Sequence, residues 1–396
     1  MGSTTIGWAS REVSTNDPVN LPGQMYERIS EGVRDPLYLS ALYVSDGKDS
    51  VIFVSVDSLM ISADLPDEIK RLVTESNPEV PVDKIIFNAT HTHESPSHDG
   101  TGAKYRRLLT SKATEAICEA FGSAKPGGIA YGYGFAVTGH NRRVILNGVA
   151  VMYGETNANT FANYESGADS FVNLMFTLDT NGELTGIVIN VSCPSQCSEE
   201  IRMLSADFWC ETRAAVKKKF GDVYVLPQCA AAGDVAPRIL HYKKAQNRRF
   251  ALKYGEDAPQ DAAERADIAE RIVAAAEEVY SWAKKDIKTG ETIAHASKTL
   301  ELEGKYKTEI RAVKIGEIAF AANQFELFTD YMHRIQARSP FAQTFVIQLA
   351  AGGGTYLATE RAHASKGYGA NEDNAVSPDG GRELVEETLE LLRSIC

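Results

Sequence analysis

A short apolar run, Lys84-Ile85-Ile86-Phe87, stops abruptly in Asn88-Ala89-Thr90-His91-Thr92-His93-Glu94-Ser95-Pro96. Bounded by polar residues, it reads as a buried strand. Helical patterns flank it over Leu65 to Glu75 and Lys104 to Phe121, which makes the stretch part of an α/β arrangement. Sheets of that kind collect their ligands at strand ends. Side chains alternate along an extended chain, so His91 and His93 are expected to project to one side. Such a pair serves a metal or a histidine-assisted site, or sits at a surface strand–loop junction; spacing alone leaves both open.

Further strands are expected over Leu37–Val44, Val51–Val56, Gly127–Val137, Phe171–Leu178, Leu184–Val191, Val223–Leu226, Ala294–Leu302, Glu309–Phe320 and Phe345–Leu349. Asn181-Gly182 marks the Phe171–Leu178 and Leu184–Val191 pair as a hairpin. Helices are expected over Ala206–Lys218, Ala262–Lys284, Gly381–Ser394, and from about Asn323 to Ala337. The polar stretch Val151–Ser170 reads as a long binding loop or lid. There are no internal repeats and no composition break, so residues 1–396 are expected to form a single domain.

A chain of 396 residues, 43% of them hydrophobic, can bury a large core. The net charge of -12 and the lack of a basic stripe argue against a nucleic-acid partner, and Lys217-Lys218-Lys219 reads as the solvated end of a helix. Six cysteines are too few for a disulfide scaffold of this length. No apolar run is long enough to insert in a membrane, and the N-terminus lacks the regions of a signal peptide, so a cytoplasmic location is expected.

Several residues invite chemistry and each has a plainer reading. Asp57 closes a strand and either lines a site or caps a turn. Arg142, after His140-Asn141, is a bidentate anion clamp or a solvated loop residue. Cys193, in Ser192-Cys193-Pro194-Ser195, is ordinarily a small core residue. Glu326 compensates the dipole of a helix's first turn or does more. The loop Cys229-Ala230-Ala231-Ala232-Gly233-Asp234-Val235-Ala236-Pro237 is small enough for close backbone approach.

In order along the chain, Thr-His-Thr-His, Asn-Arg, a strand ending in x-Pro-Ser, Gly-Asp-Val-x-Pro, an acidic turn before a helix, and Tyr-x-x-Thr followed by Gly-Tyr occur together. From about Leu37 to Gly369 the chain resembles the catalytic domain of the neutral/alkaline (non-lysosomal) ceramidases, most closely the short members of undefined substrate. The resemblance implies mixed β-sheets surrounded by helices, without the C-terminal β-sandwich of full-length members. It also implies a zinc ion held by His91, Cys193, Glu326 and Tyr356, with Cys193 standing where the family has a histidine. His93, Arg142 and Tyr368 would then act on the substrate or bind it. Thiolate, imidazole and carboxylate are ordinary zinc ligands; tyrosine is a rarer one.

One position departs from the pattern. The family's proposed catalytic serine falls on Ala230, and the neighbouring Cys229 is expected to point the other way. The expectation is therefore a zinc-dependent hydrolase that cleaves an amide, ester or lactone of a small polar molecule through metal-activated water. The alternatives are a metal-dependent isomerase or lyase acting on a hydroxy-carbonyl compound, and a non-catalytic relative. Substrate identity and oligomeric state are not legible.

Overall fold

A computed structural model of the chain describes residues 4–99, 103–374 and 376–396; Met1 to Ser3, part of the N-terminus read above, lie outside them. The larger sheet has eight strands in the spatial order Tyr224–Cys229, Leu184–Val191, Phe171–Asp179, Lys125–Phe135, Thr5–Glu12, Tyr38–Ser45, Ser50–Val56 and Ile85–Ala89. Neighbours run antiparallel except for the outermost pair at each end, which is parallel. A second sheet holds Ile293–Leu302, Tyr306–Ile315, Ile318–Ala322 and Gln343–Ile347, the last two parallel. The helices are α1 (Leu65–Ser76), α2 (Ala103–Gly122), α3 (Phe208–Phe220), α4 (Lys243–Tyr254), α5 (Gln260–Ala283), α6 (Thr329–Arg338), α7 (Glu360–Ser365) and α8 (Pro378–Ser394). Among the described residues no helix is long and apolar enough to cross a membrane.

The layering follows from strand alternation. Ser50–Val56 is buried throughout, which is why it reads as a continuous apolar run. Ile52, Val54 and Val56 face a core shared with α1, α2, α3 and α5. Val51 and Phe53 face the second sheet, where Phe53 meets Phe320 at a ring-centroid distance of 4.6 Å. The other side of that second sheet packs against α6 and α8. The architecture is α/β, with two mixed sheets face to face and helices outside both.

The large sheet is sharply bent. Thr5–Glu12 and Lys125–Phe135 pair only at Thr5–Pro126 and Ile6–Lys125, so the strands splay apart from there. The two ends of the sheet return to meet: Ser55 Oγ and Asn88 Nδ2 both donate to Pro227 O, at 2.6 and 3.1 Å. This brings the carboxyl ends of both parallel pairs to one place.

The structure corrects several readings. Glu309–Phe320 is two strands, because the chain turns at Gly316 (φ +60°). Val151–Ser170 is not a free loop; Phe161–Tyr164 in it pairs with Arg143–Leu146, which also pairs with Val149–Met152. Glu326 lies outside α6, in a two-residue bridge pairing with Tyr356. Asp57 is fully buried and takes both guanidinium nitrogens of Arg213, at 2.8 and 3.0 Å, as well as the Tyr38 amide. Helix α4 escaped detection because it buries only Phe250 and so has no apolar stripe. The hairpin at Asn181-Gly182 and the lysine-rich end of α3 are as expected.

Candidate active site

The strand Ile85–Ala89 ends before the histidines, and His91 adopts a left-handed conformation (φ +62°). Its partnership with His93 therefore comes from the turn and not from strand alternation; the rings meet edge to face at 5.0 Å. His91 Nδ1 lies 2.7 Å from Leu59 O, so Nδ1–H donates there and Nε2 is the free nitrogen. Nε2 faces Glu326 Oε2 at 3.5 Å. Glu326 follows the second sheet's strand Ile318–Ala322 in the bridge to Tyr356, and its backbone presses on the loop after Tyr224–Cys229. A Cβ on Gly233 would lie 2.4 Å from Glu326 O, so only glycine permits this approach.

The bridge that carries Glu326 pairs it with Tyr356 in parallel register. Burial pushes the Tyr356 phenol well above its ordinary range; Arg142 opposes that shift and Glu326 adds to it. Arg142 Nη2 donates to Tyr356 Oη at 2.9 Å and to Gly233 O at 3.0 Å. Burial disfavours the Arg142 charge, yet Tyr356, Tyr153 and Glu326 outweigh it and hold the group firmly protonated. Arg142 is 7% exposed and has no carboxylate ion pair among the described residues. The Tyr368 ring lies 5.3 Å from that of Tyr356 and 6.0 Å from the Arg142 guanidinium.

His93 is buried, and neither ring nitrogen has a hydrogen-bond partner among the described residues. Burial, followed by the charges of His91, Arg142, Arg28 and Arg238, pushes its pKa well down, so it is a neutral imidazole. Its nearest acid is Glu199, with Oε2 3.7 Å from Nδ1.

Six of the seven expected residues, His91, His93, Glu326, Tyr356, Arg142 and Tyr368, thus adjoin one another in a chain of contacts, whereas Cys193 makes its side-chain hydrogen bond elsewhere. Its Sγ turns to Thr138 O at 3.1 Å within the helix-side core. Burial and then the charges of Cys229, Asp207 and Glu264 push its thiol well up. No three His, Cys, Asp or Glu side chains group as a metal site among the described residues. His91, Glu326 and the Tyr356 phenol do converge, and three protein donors beside an open position is what a catalytic zinc requires.

Among the solved structures similar to this chain in fold, two are ceramidases. One is the neutral ceramidase from Pseudomonas aeruginosa, with a TM-score of 0.79 and 13% identity over 100% of this chain and 75% of that one. The chain has the neutral ceramidase fold. A structure titled as a ceramidase complexed with C2 matches with a TM-score of 0.78 and 12% identity, covering 99% of this chain and 75% of that one. No protein-family model and no curated protein matches the sequence.

On this ceramidase-like frame Ala230 packs in an apolar cluster with Phe325, Leu327 and Tyr356. Cys229 Sγ donates to Cys193 O and accepts from Gln348 Nε2, and burial pushes its thiol up to about 12. Neither residue presents a nucleophile. Four cleft residues escaped the sequence reading. Tyr153 accepts from Gln196 Nε2 at 2.7 Å and helps hold Arg142 protonated. Arg238 pairs with Glu199 at 2.9 Å and stacks over the Tyr153 ring at 5.6 Å. Asp234 accepts from Asn141 Nδ2 and from the Thr329 amide and hydroxyl, tying three loops together. Asp234 had a signal, the Gly-Asp-Val-x-Pro motif; the other three stand in unpatterned loops.

Proposed function

We propose that this chain is a zinc-dependent hydrolase of an amide bond, or of an ester or lactone, in a small polar substrate. The observation that carries the reading is the convergence of His91, Glu326 and Tyr356 beside a buried arginine that has no carboxylate ion pair among the described residues. Those three residues would hold the ion. When bound, zinc acidifies a water and polarises a carbonyl. Arg142 offers guanidinium N–H groups to the carbonyl oxygen, where negative charge develops in acyl transfer. Its hydrogen bonds to Tyr356 and Gly233 fix it in advance, so it need not reorganise during reaction. His93, neutral and unpartnered, holds the attacking water or a substrate hydroxyl at a ring nitrogen. The Tyr368 ring, edge-on to that of Tyr356, orients the substrate. With Ala230 in an apolar cluster, the nucleophile has to come from solvent. Charged and hydroxylated walls at Glu199, Arg238 and Tyr153 favour a polar substrate over a lipid.

The test is metal analysis followed by turnover of a panel of short polar amides, esters and lactones together with a long-chain ceramide, in isotope-labelled water. About one zinc per chain and label in the product acid are expected. Protein that gains no metal on adding zinc, or ceramide turned over fastest, would overturn the reading. Product formed without uptake of water would assign isomerase or lyase chemistry instead.

A further inference from the structure

Helix α4 lies over two adjoining cavities, of about 480 and 680 Å³, at the surface of α5. It is anchored by a single buried side chain, Phe250. Phe250, Ile239, Gln246 and Glu264 border both cavities, so the two lobes of this chamber adjoin across a shared wall. The larger lobe is walled mainly by apolar groups, among them Val137, Pro237 and Ile268, and at its rim Phe135 and Tyr242 are 65% and 74% exposed. Phe135 extends that rim into an exposed aromatic cluster with Tyr133 and Phe171.

The charges around the chamber are unevenly satisfied. Arg249 and Arg271 both pair with Asp267, and Arg238 pairs with Glu199. Glu264, nine-tenths buried between the lobes, has one hydrogen bond among the described residues, a 3.5 Å contact from Gln246 Nε2, and no ion pair. A carboxyl buried without a cation is costly, and the cations nearby are already committed. What the chamber lacks is a positive charge on an apolar body.

We propose that the chamber beneath α4 binds an organic amine, its ammonium against Glu264 and its apolar portion in the larger lobe. The Phe250 ring, which borders both lobes, supplies a face for the same ammonium. Arg238 borders both the smaller lobe and the cleft at His91, but Glu264 and Phe250, which would hold the amine, have no role in the reaction.

The experiment is calorimetric titration of the full chain at pH 8 with octylamine, octanoate and octan-1-ol. One octylamine per chain is expected, bound at least tenfold more tightly than either other probe. Glu264→Gln should weaken octylamine at least tenfold and leave octan-1-ol unchanged, with circular dichroism confirming the fold. Ala245→Trp, at an exposed position on the lobe wall, should abolish binding of both. This second variant keeps the test decisive if Glu264→Gln fails to fold, and it separates the chamber from the catalytic cleft. Octanoate binding as tightly as octylamine, no binding of any probe, or octylamine binding that survives Ala245→Trp would overturn the proposal.

Discussion

Among the described residues the buried Arg142 side chain has two hydrogen-bond partners, the Tyr356 hydroxyl and the Gly233 carbonyl. Such a group costs stability and is kept for what it does to a ligand. Arg142→Met is therefore expected to lower kcat/KM at least 100-fold while the denaturation midpoint stays level or rises; steady-state kinetics and urea unfolding check both. Gly233 presents the opposite case, since its missing Cβ is what lets the loop press on Glu326 O. In Gly233→Ala the loop or the bridge at Glu326 has to move, which should cost about 2 kcal/mol of stability, within the range for overpacked sites. It should also lower kcat at least tenfold, because small displacements of catalytic groups are expensive.

At the scale of elements, the three-stranded sheet around Arg143–Leu146 backs the cleft with a buried pair. Glu165 lies 3.5 Å from Arg143 Nε. Proximity to a guanidinium favours the carboxylate, but burial is larger and Asp234 adds to it, so the Glu165 pKa rises to about 7. A carboxyl raised in the folded state binds more protons there than when unfolded. Its contribution is full below about pH 4.5 and is lost as pH rises through about 7. Relative to Glu165→Gln, the native protein should lose on the order of 3 kcal/mol between pH 4.5 and pH 8, measured by urea unfolding across that range. A difference that does not change with pH would place Glu165 in solvent.

Across the whole molecule, the cleft is assembled from the ends of both sheets and exists only in the folded chain. A metal held there binds the native state alone, so zinc at about 100 times its dissociation constant should add about 2.7 kcal/mol of stability. A thermal scan with and without chelator checks this, and His91→Ala should abolish the difference. The strand-end clusters were legible because they are local. Asn88-Ala89-Thr90-His91-Thr92-His93 follows an apolar run, and Tyr356 and Tyr368 fall in a recognisable order. Glu199 and Arg238 were not legible, because their roles arise from a salt bridge across loops that carry no periodic signal.

The sequence by itself determined the α/β class, most of the strands and the set of polar residues at their ends, because alternation and helical periodicity depend only on neighbours along the chain. Three things were left to the tertiary structure. The bend at Thr5–Ile6 returns one end of the large sheet to the other, and a pairing two residues long leaves no pattern to read. Glu326 enters the cleft from a bridge to Tyr356 rather than from a helix, because that pairing joins residues thirty positions apart. Cys193 directs its Sγ to Thr138 O in the core, because the direction of a side chain after a strand's last residue depends on the turn and its surroundings.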